Sequence, residues 1–260
     1  MPDKANYLTV IIPRRGINDE GKGKKYALHK LIAAATTEYV WLMDDDVLPS
    51  PISNLPSPIS NLQSDLIILP LRMESESPGP TLLERLQIAE YAAIQELTIS
   101  SAKRGRAVLC SGANLIVRRL AWQEAWPELH PDIPSGDDMF LLESFKRHGR
   151  SIAVMDSPEF TAVVRPQTSW RAFFRQRMRW AGKAPHFTDP DIRRCGALVL
   201  VANILQLLCP IVVLVKFPIE YRLIKKRDPK VSLCTALLLE LLYPFYMLFS
   251  LLGGLFRRTW

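Results

Sequence analysis

Cysteine is scarce in this chain of 260 residues. The four present, Cys110, Cys195, Cys209 and Cys234, have none of the spacings that mark a metal site. Cys209 and Cys234 fall inside long apolar stretches, where a thiol serves as a small apolar filler. No secretory leader is visible, because residues 1–7 are polar. No recognisable nucleic-acid module is present either, so nucleic acid does not account for the net charge of +7. Charge itself is missing over two long stretches: residues 196–215 carry none, and residues 231–256 carry only Glu240.

Those two stretches dominate the organisation. Each is long enough to cross, as a helix, a hydrocarbon core of about 30 Å. A pair of buried core helices is the alternative, but soluble helices seldom run so far without a charged face. Basic residues gather beside the stretches: Arg193, Arg194, Lys216, Arg222, Lys225, Lys226, Arg227, Lys230, Arg257 and Arg258. That placement fits an anionic membrane surface. The length leaves room for one domain of ordinary size before a membrane anchor.

Ahead of the apolar stretches the pattern alternates between strand and helix, which implies an α/β domain. Residues 8–13 (Leu-Thr-Val-Ile-Ile-Pro) read as a strand closed by proline. Residues 25–35 place Ala27, Leu28, Leu31, Ile32 and Ala35 on one helical face. Residues 39–43 and 65–71 read as further strands, 81–101 as a long helix, and 106–118 as extended chain around a turn at Ser111-Gly112. A helix follows over 138–148, ended by Gly149, and then a strand over 151–155. Residues 49–55 are copied once as 56–62, a Pro- and Ser-rich heptad that reads as a lengthened surface loop.

Three polar clusters carry the chemistry. Asp44-Asp45-Asp46 follows an apolar strand at once, and the carboxyl ends of strands are where open α/β sheets bind ligands. In extended chain Asp44 and Asp46 point the same way. Two such carboxylates suit a hard divalent ion that also holds phosphate oxygens; a solvated acidic turn is the plainer account. Ser135-Gly136-Asp137-Asp138 opens a helix, where Asp serves either as a cap or as a positioned base. Gln176-Arg177-Met178-Arg179-Trp180 lies in a basic, aromatic, amphipathic run suited to a membrane interface. Two shorter segments accompany them, Gly23-Lys24-Lys25-Tyr26-Ala27-Leu28 and Ser111-Gly112-Ala113-Asn114.

In this order, and before membrane segments, the motifs resemble the membrane-bound, processive-type glycosyltransferases of family 2, the group that includes cellulose, chitin and hyaluronan synthases. The resemblance covers residues 8–183 and the membrane segments. It implies a GT-A-like α/β domain over residues 1–190, then a hairpin of two transmembrane helices, about 196–215 and 231–256, within 191–260. It implies that Asp44 and Asp46 bind a divalent metal (Mg2+ or Mn2+) and the diphosphate of a nucleotide-sugar, with Lys24 beside the donor. Asp138 matches the catalytic base; Asp137 stands where the family often has Glu. Gly112, Asn114, Asp137, Gln176, Arg179 and Trp180 match positions around the acceptor, a glycan or a lipid-linked sugar. The implied activity is inverting transfer of a hexose, with membrane lipids as partners and no nucleic acid.

The match departs from the family at its beginning. Gly23-Lys24 follows the first strand within ten residues, whereas the complete domain carries two further β-α units and a base-reading acidic residue there. The expectation is a GT-A-like domain truncated at its N-terminus, which needs a missing segment or a partner. A non-catalytic, membrane-bound remnant serving as a binding or scaffold element is the alternative. Two spans also imply a multi-pass protein of the cell membrane with a cytoplasmic catalytic domain. Residues 216–230 then face outward with six basic residues, against the positive-inside tendency, unless 217–224 lies in the interface. Glu240 needs a polar partner within the membrane, with Asn203 and Gln206 as candidates.

Overall fold

The computed structural model describes residues 8–13, 23–48, 63–133 and 136–256. The copied heptad, Ser135 and the basic pair at 257–258 lie outside them. The chain divides into two compact units. The first joins Met1–Leu71 to Ser101–Val163, and the second joins Arg72–Ser100 to Val164–Trp260.

The first unit is built on a five-stranded mixed sheet. In chain order its strands are β1 (Leu8–Ile11), β2 (Tyr39–Met43), β3 (Leu66–Ile68), β5 (Asn114–Arg118) and β6 (Ile152–Val154), arranged β1-β2-β5-β3-β6. β1 runs parallel to β2 and β3 parallel to β6, while β5 is antiparallel to both its neighbours. Every residue of β2 and β3 is buried, which explains why these strands read as unbroken apolar runs rather than alternating ones. The expected strand over 65–71 is instead two. Pro70, which has no N–H to give a ladder, separates β3 from β4 (Leu71–Met73), and β4 pairs with β7 (Ala162–Val164) in a two-stranded sheet.

Helices α1 (Lys24–Ala34), α3 (Arg119–Ala125) and α4 (Asp137–Arg147) complete the first unit. They bury Leu28, Ile32, Trp122, Phe140, Leu141 and Phe145. Lys25 is buried too. Its ammonium donates to the carbonyls of Leu129 and His130 at 2.6 and 2.9 Å and lies over the Phe140 ring, so burial of the charge is compensated.

The second unit is helical. It contains most of α2 (Leu82–Lys103), then α5 (Trp170–Ala181), α6 (Pro190–Leu208), α7 (Val213–Arg227) and α8 (Leu233–Phe256). A capping box starts α2: the Glu84 carboxylate accepts from the Thr81 N–H at 2.7 Å, and the Thr81 hydroxyl accepts from the Glu84 N–H at 3.3 Å. Further along α2, Glu96 pairs with Lys226 and Arg227 of α7, at 2.5 and 2.8 Å.

Over Leu233–Leu255, α8 is long and apolar enough to cross a membrane. The other expected span, 196–215, is not one helix. α6 ends at Leu208, Pro210 interrupts the chain, and α7 begins at Val213. The partner of Glu240 also differs from expectation. Its carboxylate pairs with Lys216 of α7 at 2.9 Å; Gln206 donates to the Glu240 main-chain carbonyl, and Asn203 donates to Val199.

α5 and α8 meet at two glycines. A Cβ on Gly253 would stand 2.7 Å from Met178 Cε, and one on Gly254 would stand 2.7 Å from the Gly182 nitrogen and 2.8 Å from the Met178 carbonyl oxygen. The Met178 side chain can swing aside; the backbone of α5 cannot. Gly254→Ala is therefore expected to destabilise the second unit by about 1–3 kcal/mol, and Gly253→Ala by less. Thermal unfolding of the two variants in detergent checks the order.

Candidate active site

Four separate segments bring the candidate residues of the first unit together. Met43 pairs with Asn114, so Asp44 leaves β2 beside the turn at Gly112 and Ala113. Lys24 opens α1 directly after Gly23, whose φ of 87° favours glycine. Gly136, left-handed at φ 88°, turns the chain into α4, and Asp137 and Asp138 fill the first turn of that helix. Carboxylates there also suit the positive end of the helix dipole.

The Lys24 ammonium pairs with Asp44 Oδ1. Burial works against its charge, but Asp137, Asp44 and Asp138 outweigh burial and hold its pKa above the ordinary lysine value. Asp137 is 5 % exposed. Burial pushes its carboxyl above the usual aspartate range; Lys24 opposes that shift, and Asp138 and Asp44 add to it. Asp138 is half-buried. One of its oxygens accepts from the Gly112 N–H at 3.2 Å and the other from the Met139 N–H at 2.8 Å. A Cβ on Gly112 would lie 3.2 Å from Asp137 Oδ2, 3.7 Å from Asp138 Cβ and 3.9 Å from Lys24 Nζ. Glycine at 112 therefore lets the turn close on all three side chains.

The local geometry differs from the sequence reading at two points. The chain does not stay extended after Asp44: the Val47 N–H bonds back to the Asp44 carbonyl, and Asp46 lies exposed in that turn. Asn114 is 1 % exposed and its amide is engaged by protein. It accepts from Trp41 Nε1 and donates to the carbonyls of Pro70 and Phe160, each at 2.8 Å. Asn114 thus fixes the turn that carries Gly112 instead of offering its amide to a sugar.

Gln176, Arg179 and Trp180 belong to α5 in the second unit. Arg179 and Trp180 are exposed, and Gln176 Oε1 accepts from Arg177 at 2.5 Å. Arg177 between them carries a role that motif reading missed. It is buried, pairs with Glu90 of α2, and lies over the rings of Phe173 and Trp180 at 4.6 and 4.4 Å. Burial alone would lower its pKa, and Glu90 more than offsets that. The available signal was spacing: Trp170, Phe173, Phe174 and Arg177 fall on one helical face.

The donor chemistry here fits a divalent ion. Asp44 pairs with the Lys24 ammonium, and Asp137 and Asp138 act on the same charge, so carboxylate oxygens, the donors a hard divalent ion prefers, outnumber the cation beside them. Among the described residues no three His, Cys, Asp or Glu side chains gather closely enough to enclose a metal by themselves. An ion held here would complete its shell with water and ligand oxygens.

Comparison with known families gives one match. The model described as glycosyltransferase-like family 2 covers residues 5–183, a stretch that takes in every residue of the cluster. No curated protein matches the chain.

Proposed function

Since the chain belongs to the family 2-like glycosyltransferases, we propose that it transfers a hexose, with inversion, from a nucleotide-sugar to a glycan or lipid-linked acceptor at a cell membrane. The observation that carries this reading is the gathering of Lys24, Asp44, Gly112, Asp137 and Asp138 from four segments around one point. Asp138 is the base. It takes the proton of the acceptor hydroxyl as that oxygen attacks the anomeric carbon. The bond from that carbon to the diphosphate breaks, and its electron pair leaves on the nucleoside diphosphate. Lys24 faces the charge that develops there.

Family 2 enzymes generally depend on a divalent metal, and Asp44 would hold Mg2+ or Mn2+ here, with Asp46, exposed in the turn that follows, as the second candidate ligand. When bound, that ion supplies positive charge to the donor diphosphate. Asp137, buried behind Lys24, keeps the ammonium in place and borders the acceptor. Gln176, Arg179 and Trp180 serve the acceptor from α5, with Trp180 stacking on a sugar ring and Arg179 pairing with an anion. Among the described strands β1 pairs with β2 alone. We propose that additional chain or a partner adjoins it and holds the donor's base and ribose. α8 anchors the protein in the bilayer, with the cluster facing the cytoplasm.

The test is a panel of nucleotide-sugars offered to the membrane-embedded protein with Mg2+ or Mn2+. Donor-dependent product that disappears with chelator supports the reading; no product from any donor by well-folded protein overturns it. Within that assay Asp44→Ala is expected to raise the half-saturating metal concentration and the donor KM together by about tenfold or more, as loss of a charged ligand does. A donor KM unchanged in Asp44→Ala would remove Asp44 from the donor site.

A further inference from the structure

The second unit contains a cavity of about 270 Å³ between α2, α5 and α8. Trp170, Phe173 and Phe174 of α5 and Leu242, Phe245 and Phe249 of α8 form much of its wall. Two polar side chains of α2 also reach the wall, Gln87 and Glu90, and both are already engaged. The Gln87 amide donates to the carbonyls of Leu83 and Gln167 and accepts from the Gln167 N–H. Glu90 is paired with Arg177. Tyr246 lines it as well, and its hydroxyl is, among the described residues, the one buried lining group without a hydrogen-bond partner; the rest of the wall is almost wholly hydrocarbon.

That chemistry selects the occupant. A sugar or nucleotide moved into the cavity would give up many hydrogen bonds to water and could regain at most the one that the Tyr246 hydroxyl offers. An open apolar cavity of this kind favours an apolar guest, whose burial removes hydrocarbon from water. Its wall residues Leu242, Phe245 and Phe249 are 38 %, 63 % and 54 % exposed, on the helix long and apolar enough to span a membrane. The cavity thus communicates with the side of α8 that would face lipid tails. Its α5 wall is continuous with the motif above: Trp170, Phe173 and Phe174 precede Gln176, Arg179 and Trp180 on the same helix.

We propose that this cavity holds the hydrocarbon chain of a lipid acceptor, whose sugar or phosphate head is thereby presented along α5. The proposal rests on the glycosyltransferase reading and deepens it, since it selects a lipid-linked acceptor over a free glycan. It also gives the aromatic half of α5 a specific task beyond anchoring at the interface.

The test uses the full chain in phosphatidylcholine nanodiscs and an alkyl glycoside carrying a diazirine in its chain. On irradiation the probe is expected to label peptides of α5 and α8. Leu242→Trp fills the cavity from α8 and Leu86→Phe fills it from α2, and each should reduce labelling by about tenfold or more. Asp138→Asn should label like the parent, because binding the chain does not involve the base. In the transfer assay, dodecyl glycoside should show a KM at least about tenfold below that of methyl glycoside, a preference both filling variants lose. Labelling that survives both folded variants overturns the proposal. So does equal labelling of the same peptides by a phosphatidylcholine bearing the diazirine, which would make the occupant bulk lipid. Expected labelling with no transfer to any acceptor keeps the chain site and defeats the glycosyltransferase reading, so the two failures are distinguishable.

Discussion

Asp138→Asn is expected to lower the single-turnover rate of sugar transfer by about 10²-fold or more and to leave the donor KM nearly unchanged. The substitution is close to isosteric. The asparagine oxygen can still accept from the Gly112 or Met139 N–H, the two bonds that fix the parent carboxylate. What it cannot do is accept the acceptor's proton. Lys24 and Asp44 stay paired, so donor and metal should bind as before. The outcome that sinks the assignment is a near-normal rate in the asparagine variant. The base would then be sought at Asp137, whose raised pKa comes first from burial and then from its carboxylate neighbours.

The second large effect concerns the fold under the α5 motif. Glu90 and Arg177 are 7 % and 6 % exposed at their side chains, so removing either leaves a buried charge without its partner. Arg177→Ala is expected to cost about 3–5 kcal/mol of stability. Removing both charges at once should cost far less, because the desolvation of two ions is avoided along with their attraction. Chemical denaturation of Arg177→Ala, Glu90→Ala and the double variant measures this directly. Additive losses in the double variant would mean that the pair contributes no coupling and that the single losses come from packing alone.

The sequence disclosed the strands and the place of the charges better than it disclosed their partners. β2 was legible because a fully buried strand is an unbroken apolar run, and the place of Asp44 at its carboxyl end followed from that run. Asn114 was not. An amide in a glycine turn has the same sequence signature whether it faces a sugar or three protein groups, and only the positions of Trp41, Pro70 and Phe160 decide. Asp46 was placed beside Asp44 on the assumption of extended chain, and a single backbone bond from Val47 to Asp44 removes that premise.

The helices repeat the lesson. Residues 196–215 satisfy any count of apolar residues, yet hydropathy gives no weight to the N–H that Pro210 lacks, and α6 ends before it. Lys216 stands among the basic residues beside the apolar stretch, and nothing in the sequence separates it from them as the partner of Glu240. Fold class, by contrast, follows from alternation of periodicities alone, and the mixed sheet flanked by helices bears it out.

The glycine contact between α5 and α8 ties surface chemistry to bilayer mechanics. At Gly254 the two helices approach too closely for a methyl group, so they have little freedom to slide or separate independently. A spanning helix meets a thinner or thicker bilayer by changing its tilt. In the membrane-anchored arrangement proposed above, a tilt of α8 would carry α5 with it, and the depth of Gln176, Arg179 and Trp180 relative to the headgroups would become a function of lipid chain length.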